Sequence, residues 1–455
     1  MEMILEFLRD VLSQPALLIG IMSCVGLIAL KRPFHKIMTG TLKPILGYLM
    51  LAAGAGVIVS NLDPLGKMIE HGFHITGVVP NNDAIVAVAQ KVLGVETMSI
   101  LVVGLLMNLL IARFTKFKYV FLTGHHSLFM ACLMSAVLGT AGLSGIELIL
   151  VGGFLMGAWS AISPAIGQSY TSKVTDGDEI ALGHFGSLGY YLSAWVAKYV
   201  GKAEESTEDI EIPEKWGFLR DSTLSTALTM IVFYLIAAIA AGSEFVATLS
   251  GSMSPYLFAV MSAMNFAVGV AIVYSGVRMI LGDLIPAFQG IATKIIPNAI
   301  PAVDCAVFFT YAPTAVVLGF ISSFIGGIIG MLILGAVGGV LIIPGLVPHF
   351  FCGATAGIYG NATGGRRGAA VGAFLNGLAI TFLPALALPV LGQLGFQNTT
   401  FGDADFAVMG LVLGNAFEWI GMAGIYGVVV IAALVLIIPN FIKTKGKVIN
   451  YVEEE

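Results

Sequence analysis

Charge is what this sequence lacks. Only 11% of its 455 residues are Asp, Glu, Lys or Arg, against roughly 25% in an ordinary soluble domain. A globule of this length would need a charged shell to face water, so a soluble enzyme is excluded. The charge that is present sums to −5 at pH 7 with a pI of about 5.8, and nothing in it forms the basic footprint of a nucleic-acid binder. The four cysteines, Cys24, Cys132, Cys305 and Cys352, stand singly in apolar stretches without metal-ligand or disulfide spacing, which predicts small buried side chains. There is no Walker A sequence, no GxGxxG after a strand and no Ser/His/Asp grouping of known spacing. ATP-driven pumping and soluble-type catalysis have no support, and no catalytic residue, metal or cofactor is expected.

Hydrophobicity is what the chain has instead. Apolar residues make up 57%, the mean hydropathy is +0.94, and there are 56 Gly, 28 Phe and 19 Met, which also excludes intrinsic disorder. A spanning helix needs ~20 mostly apolar residues. Candidate spans are 11–30, 45–62, 97–112, 119–139, 145–165, 226–246, 255–276, 303–323, 325–345, 368–392 and 420–441. The runs are long and unbroken, so the expected fold is an all-α polytopic membrane protein of about eleven spans, and not a barrel. It reads as one transmembrane domain over 1–455. The first residues, MEMILEFLRD, have no basic stretch before a short apolar core, which argues against a cleavable signal peptide. Basic residues gather after the first, third, fifth and last spans, which predicts an outer N-terminus and a cytoplasmic C-terminus.

Two regions depart from the pattern of simple spans. Residues 166–225 are the only long polar stretch, and the piece from about 190 to 225 is acidic and amphipathic. It is expected at the cytoplasmic surface, as a connector or a docking surface. Residues 346–367, with PHFFCGATAGIYGNATGG, are Gly-rich and read as re-entrant, because irregular backbone at membrane depth must be buried by protein or line water. Gly326–Gly330 and Gly335–Gly339 have the spacing of close helix packing.

An ionisable group at the middle of a span costs roughly 2.5–3.5 kcal/mol on insertion scales, so polar residues inside apolar runs point to function. His125 and His126 lie in YVFLTGHHSLF, about 100° apart on a helix, so that one at most is expected to face a given site. His184 lies between Gly183 and Gly186, where a tight bend is possible. Asp304, after Pro297 and Pro301, is either an N-cap or a carboxylate facing a polar solute. Asn81, Asn82 and Asp83 read as an outer loop with an Asx cap, or as a binding segment folded inward. Glu418, beside Trp419, reads as a proton carrier or an interfacial residue.

The strings FLTGHHSLF, VTDGDEIALGH, AFQGIATKIIPNAIPAVDCAVFFTYAPTAVVLGF and LIIPGLVPHFFCGATAGIYG resemble the membrane subunit, enzyme IIC, of the bacterial ascorbate-type phosphotransferase system, and the resemblance runs over most of the chain. It implies a homodimer in the cell inner membrane, with a scaffold part and a substrate-holding core that moves as an elevator. It also implies a cytoplasmic IIB partner, charged by IIA, that phosphorylates the arriving sugar, so that the chemistry belongs to the partner. The residues corresponding to the family's substrate contacts are His125, His184 and Asp304.

The chain departs from the ascorbate pattern at two positions, where phenylalanines Phe129 and Phe185 stand in place of the family's glutamines. Phe129 shares a helix face with His125. Asp83 corresponds to a tyrosine of the family, and the GATAG loop around Thr355 is expected to offer backbone donors. Loss of hydrogen-bond partners changes specificity, so the expected solute is ascorbate, another sugar acid, a pentose or a polyol. An ion-coupled secondary transporter of the same fold is the alternative.

Overall fold

A computed structural model describes residues 11, 14–74, 77–80, 82–177, 179–210, 222–392 and 399–441. Among them the order is α1 (Pro15–Ala29), α2 (Phe34–Phe73), β1 (Val79–Pro80), α3 (Asn82–Phe114), β2 (Tyr119–Phe121), α4 (Gly124–Thr140) and α5 (Gly145–Thr175). The chain continues through β3 (Ala181–Leu182), α6 (Ser187–Val200), α7 (Ser222–Ala241), α8 (Ser243–Ser250), α9 (Pro255–Lys294) and β4 (Ile300–Val303). A short 3₁₀ helix, Cys305–Thr310, leads to α10 (Pro313–Ala336), α11 (Leu346–Gly392), β5 (Thr399–Thr400), α12 (Ala404–Ile420) and α13 (Met422–Ile437). The protein is an all-α polytopic membrane protein carrying a few very short strands.

Seven helices among the described residues are long and apolar enough to cross a membrane, and an eighth span results if α7 and α8, bent by 117°, count together. This count takes the kinked α11 as one helix and so does not fix the number of crossings, but three of the candidate spans differ locally from the helices found. The candidates 303–323 and 325–345 fall on the single helix α10, because Ile300–Val303 is extended and Cys305–Thr310 is a 3₁₀ turn. The candidate 119–139 opens as a strand and keeps only 17 helical residues. Hydropathy registers an apolar residue equally in either conformation.

Missing side chains let the longest helices approach each other. A Cβ on Gly47 would lie 2.9 Å from the Gly276 carbonyl oxygen, and one on Gly54 2.7 Å from that of Gly269. The pairs sit seven residues apart on α2 and α9, which therefore run antiparallel with their backbones in contact, as small residues permit in membranes. Gly326 and Gly330 pack in the same way against Phe374 and Thr381 of α11. Among the described residues Gly335 and Gly339 meet Leu341 and Leu334 of their own segment and not another helix.

The Gly-rich stretch is helical on both sides of a sharp reversal. Gly364 (φ −146°) and Gly365 (φ +59°, ψ −155°) leave helical geometry within α11. A Cβ on Gly360 would meet the Gly368 carbonyl at 2.4 Å, whereas eight residues of straight helix span about 12 Å. The chain thus folds back as a helical hairpin. Its tip rests on residues 201–208: the Arg366 N–H donates to the Glu205 carbonyl (2.8 Å), and the Asn361 side chain joins the Thr207 N–H (2.8 Å) and the Ser206 hydroxyl (3.0 Å). Glu208 takes the Thr314 and Ala315 N–H groups and the Thr314 hydroxyl at 2.9–3.2 Å, capping α10 from a distant segment. The polar region 166–225 is therefore only partly a surface connector. Its first part prolongs α5, and α6 buries Ser187, Gly189, Tyr190, Tyr191, Ser193, Ala194 and Ala197.

At Gly365 an added Cβ would lie 2.2 Å from the Lys202 carbonyl, in a conformation that L side chains rarely adopt. Gly365→Ala is therefore expected to cost at least about 1–3 kcal/mol and to lower the unfolding temperature in detergent. Gly177→Ala, where nothing lies within 4 Å of the new carbon, should stay within about 0.5 kcal/mol of wild type.

Candidate functional site

Strands β2, β4 and β3 form one small parallel sheet in that order, with Phe121 beside Ala302 and Ala302 beside Ala181. Because the strands are parallel and in register, the residues that follow them emerge at one end. Those residues are the segment Leu122–His126, the segment Gly183–His184, and Asp304. The strands are paired tightly enough to exclude a side chain at Gly183, whose Cβ would lie 2.4 Å from the Ala302 carbonyl. The three anomalous groups of the sequence converge here.

His125 Nε2 lies 3.5 Å from Asp304 Oδ2, and its Nδ1 lies 3.4 Å from the Tyr48 hydroxyl. The His125 side chain is 39% exposed while that of Asp304 is 9% exposed, so the pair sits at an opening. The N-cap reading of Asp304 holds, since Oδ1 accepts the Ala306 N–H (3.0 Å) at the start of the 3₁₀ helix, while Oδ2 faces the imidazole. His126 belongs to the same constellation, contrary to the expectation that only one of the two histidines would. Its ring centroid is 3.8 Å from that of His184 and 4.7 Å from that of His125. The two histidines occupy the first turn of α4, where polar partners approach from two sides.

The hydrogen bonds fix where the imidazole protons sit. The Gly186 N–H donates to His184 Nδ1 (3.1 Å), and the Phe185 N–H donates to His126 Nδ1 (3.3 Å). A backbone N–H can only donate, so each Nδ1 is an acceptor and each neutral ring carries its hydrogen on Nε2.

A second parallel pair supplies a further group. β1 lies beside β5, with Val79 against Thr399 and Pro80 against Thr400. Asn82, following β1, donates to Asp403 Oδ2 (2.7 Å) and accepts the Gly402 N–H (2.9 Å). Asp403 Oδ1 accepts from the Cys352 thiol (3.0 Å) and lies 3.9 Å from His184 Nδ1. The Tyr190 hydroxyl lies 2.9 Å from the same nitrogen. Two residues on, Asp405 takes the Ser187 hydroxyl (2.7 Å), the Leu188 N–H (2.9 Å) and Trp159 Nε1 (3.1 Å).

Aromatic rings wall the constellation. Phe129 meets His125 edge-on at 5.8 Å, Phe185 stacks on Phe121 at 4.6 Å, and Phe406 stacks on His126 at 5.6 Å. Thr355 is buried near Cys305, but GATAG is helical and its hydroxyl bonds the Phe351 carbonyl. The expected loop of backbone donors is therefore corrected: helix formation commits those N–H groups. Cys305 and Cys352 are buried as expected, and the Cys352 thiol also serves Asp403 as a donor. Asp83 is the second residue of α3, and its side chain lies outside the described residues. Glu418 is exposed near the end of α12 and takes no part.

Two groups have metal-ligand chemistry by residue type: His126, His184 and Asp403, and His184, Asp304 and Cys305, with ligand atoms within 4.8 Å of one another. The hydrogen bonds fit a metal poorly. A ligating histidine ordinarily donates its second ring N–H to an acceptor, whereas Nδ1 of both His126 and His184 receives a backbone N–H. The arrangement offers N–H donors and carboxylate acceptors, a surface suited to a hydroxylated solute.

Apolar spans surrounding a polar, aromatic-walled centre define a polytopic membrane protein with an internal polar site. The chain belongs to the EIIC-GAT family, the sugar-specific permease components of the PTS system, whose family match covers residues 10–405. It is similar to the ascorbate-specific PTS system EIIC component of Mycoplasma pneumoniae, with 26% identity over 78% of this chain. The chain spans 62% of that relative's length.

Asn82 is the side chain that joins the two halves of the β1–β5 crossing. Asn82→Ala removes one donor from buried Asp403 and the acceptor from the Gly402 N–H. A loss of about 1–3 kcal/mol is expected, read as a lower unfolding temperature of the purified protein.

Proposed function

We propose that this protein is the membrane component of a bacterial phosphotransferase system. It binds a small hydroxylated solute and carries it inward, where a cytoplasmic IIB partner, charged by IIA, phosphorylates it. The observation that carries this reading is the convergence of His125, His184 and Asp304 at the common end of three parallel strands. Family membership and the ascorbate-specific relative support it. His184 Nε2–H donates to a solute oxygen, His125 and Asp304 bond its hydroxyls, and Phe129 and Phe185 offer ring faces where an ascorbate carrier has amides. Thr355, whose hydroxyl bonds the Phe351 carbonyl, would contribute packing beside this pocket rather than backbone donors. The solute is ascorbate, a related sugar acid, a pentose or a polyol.

The α11 hairpin and the strand-end segments form a core that moves against a scaffold containing α2 and α9, in the manner of an elevator. The protein works as a homodimer in the inner membrane, its N-terminus outside. Coupling to an ion gradient, with Glu418 or Asp304 as the coupling carboxylate, is the competing reading; Glu418 is exposed and Asp304 is buried.

In cells that supply IIA and IIB, His184→Ala and Asp304→Asn should reduce solute accumulation to background with unchanged membrane expression. Accumulated solute should be phosphorylated, and accumulation should vanish without IIB. Unmodified solute driven by a proton or sodium gradient would refute the phosphotransferase reading, and wild-type uptake by both variants would refute the site.

A further inference from the structure

Asp405 is fully buried and, among the described residues, makes no hydrogen bond to the side chains of His125, His184 or Asp304, yet its bonds surround His184. Its carboxylate accepts from the Ser187 hydroxyl and the Leu188 N–H, and its own N–H donates to the Phe185 carbonyl (2.9 Å). Residues one, three and four positions after His184 are thus fastened to a single residue on another helix. Trp159 Nε1 ties the same carboxylate to α5.

This fastening matters because α6 lacks a cap of its own. Its N-cap position is Gly186, which has no side chain to satisfy the first N–H groups; Asp405 supplies that acceptor from outside. Glycine is required at 186, since a Cβ there would lie 2.3 Å from the Tyr190 hydroxyl and 3.2 Å from His184 Nδ1. The Gly186 N–H and the Tyr190 hydroxyl both address His184 Nδ1. Wherever Asp405 holds the start of α6, the orientation and tautomer of His184 follow.

We infer that Asp405 is the positioning residue of His184: it anchors the Phe185–Leu188 turn so that the imidazole presents Nε2–H toward the solute. Its role toward solute rests on the proposed function, whereas its role toward the imidazole does not.

The uptake test uses the full chain in the membranes of cells that supply IIA and IIB, and the NMR test uses the full chain in lipid bilayers. Asp405→Asn preserves shape but offers an amide where three donors converge. In radiolabelled ascorbate uptake, with a pentose or hexitol as probe if ascorbate is not carried, its half-saturation concentration should rise about tenfold, as for loss of roughly one hydrogen bond. The maximal rate per folded molecule should change less. In nitrogen NMR of histidine-labelled protein, the His184 signals, assigned by comparison with His184→Ala, should report Nε2–H in wild type and a shifted or mixed tautomer in the variant. Trp159→Phe, which removes one donor to Asp405, should shift both readouts in the same direction by less.

A folded Asp405→Asn protein with unchanged half-saturation and an unchanged His184 signal overturns the inference, as does a lowered unfolding temperature accompanied by neither change. Should that variant fail to fold, Ser187→Ala decides by the same two readouts. If wild type carries none of the probes, the functional reading falls, and the NMR comparison still decides the positioning role.

Discussion

A carboxylate held in hydrocarbon needs partners, and three of them determine how the centre of this protein is assembled. Asp304, Asp403 and Asp405 are all buried. Asp304 serves a 3₁₀ helix and faces His125, Asp403 takes Asn82 and Cys352, and Asp405 takes Trp159, Ser187 and the start of α6. Those from Asn82, Trp159 and Ser187 join segments more than two hundred residues apart. A helix packed by small residues alone can slide or rotate, whereas a buried acid with several fixed donors permits one position.

Short parallel strands deliver these groups to one place. Two to four extended residues at each crossing are enough to set the depth at which a chain stops and its polar side chain begins. Extended backbone inside a membrane protein must have its hydrogen bonds supplied by neighbours, and β2, β4 and β3 supply one another. The same pairing makes the glycine at 183 necessary.

Much of this was legible in the sequence. His125, His184 and Asp304 stood out because each interrupts an apolar run, and the structure places them together. The apolar composition likewise made the membrane class readable. Asp403 and Asp405 were missed because TTFGDADF looks like an ordinary polar turn, and nothing local shows that it docks beside His184. His126 was set aside by helical periodicity, which assumes that a site approaches a helix from one side. The strands escaped because two to four residues carry no usable period, and hydropathy scores their apolar side chains like those of a helix. The cysteines were read from spacing, which cannot show that Cys352 comes to lie against Asp403.

The segment 201–208 has a consequence for how the molecule is made. It leaves the ribosome well before residues 314 and 361–366, whose N–H groups and side chains it receives. The first part of the chain therefore carries a waiting berth: a hydrophilic ledge whose carboxylate and carbonyls remain hydrated until the hairpin arrives. Biogenesis then proceeds toward a prepared landing, and a truncated chain ending before the hairpin keeps that ledge open.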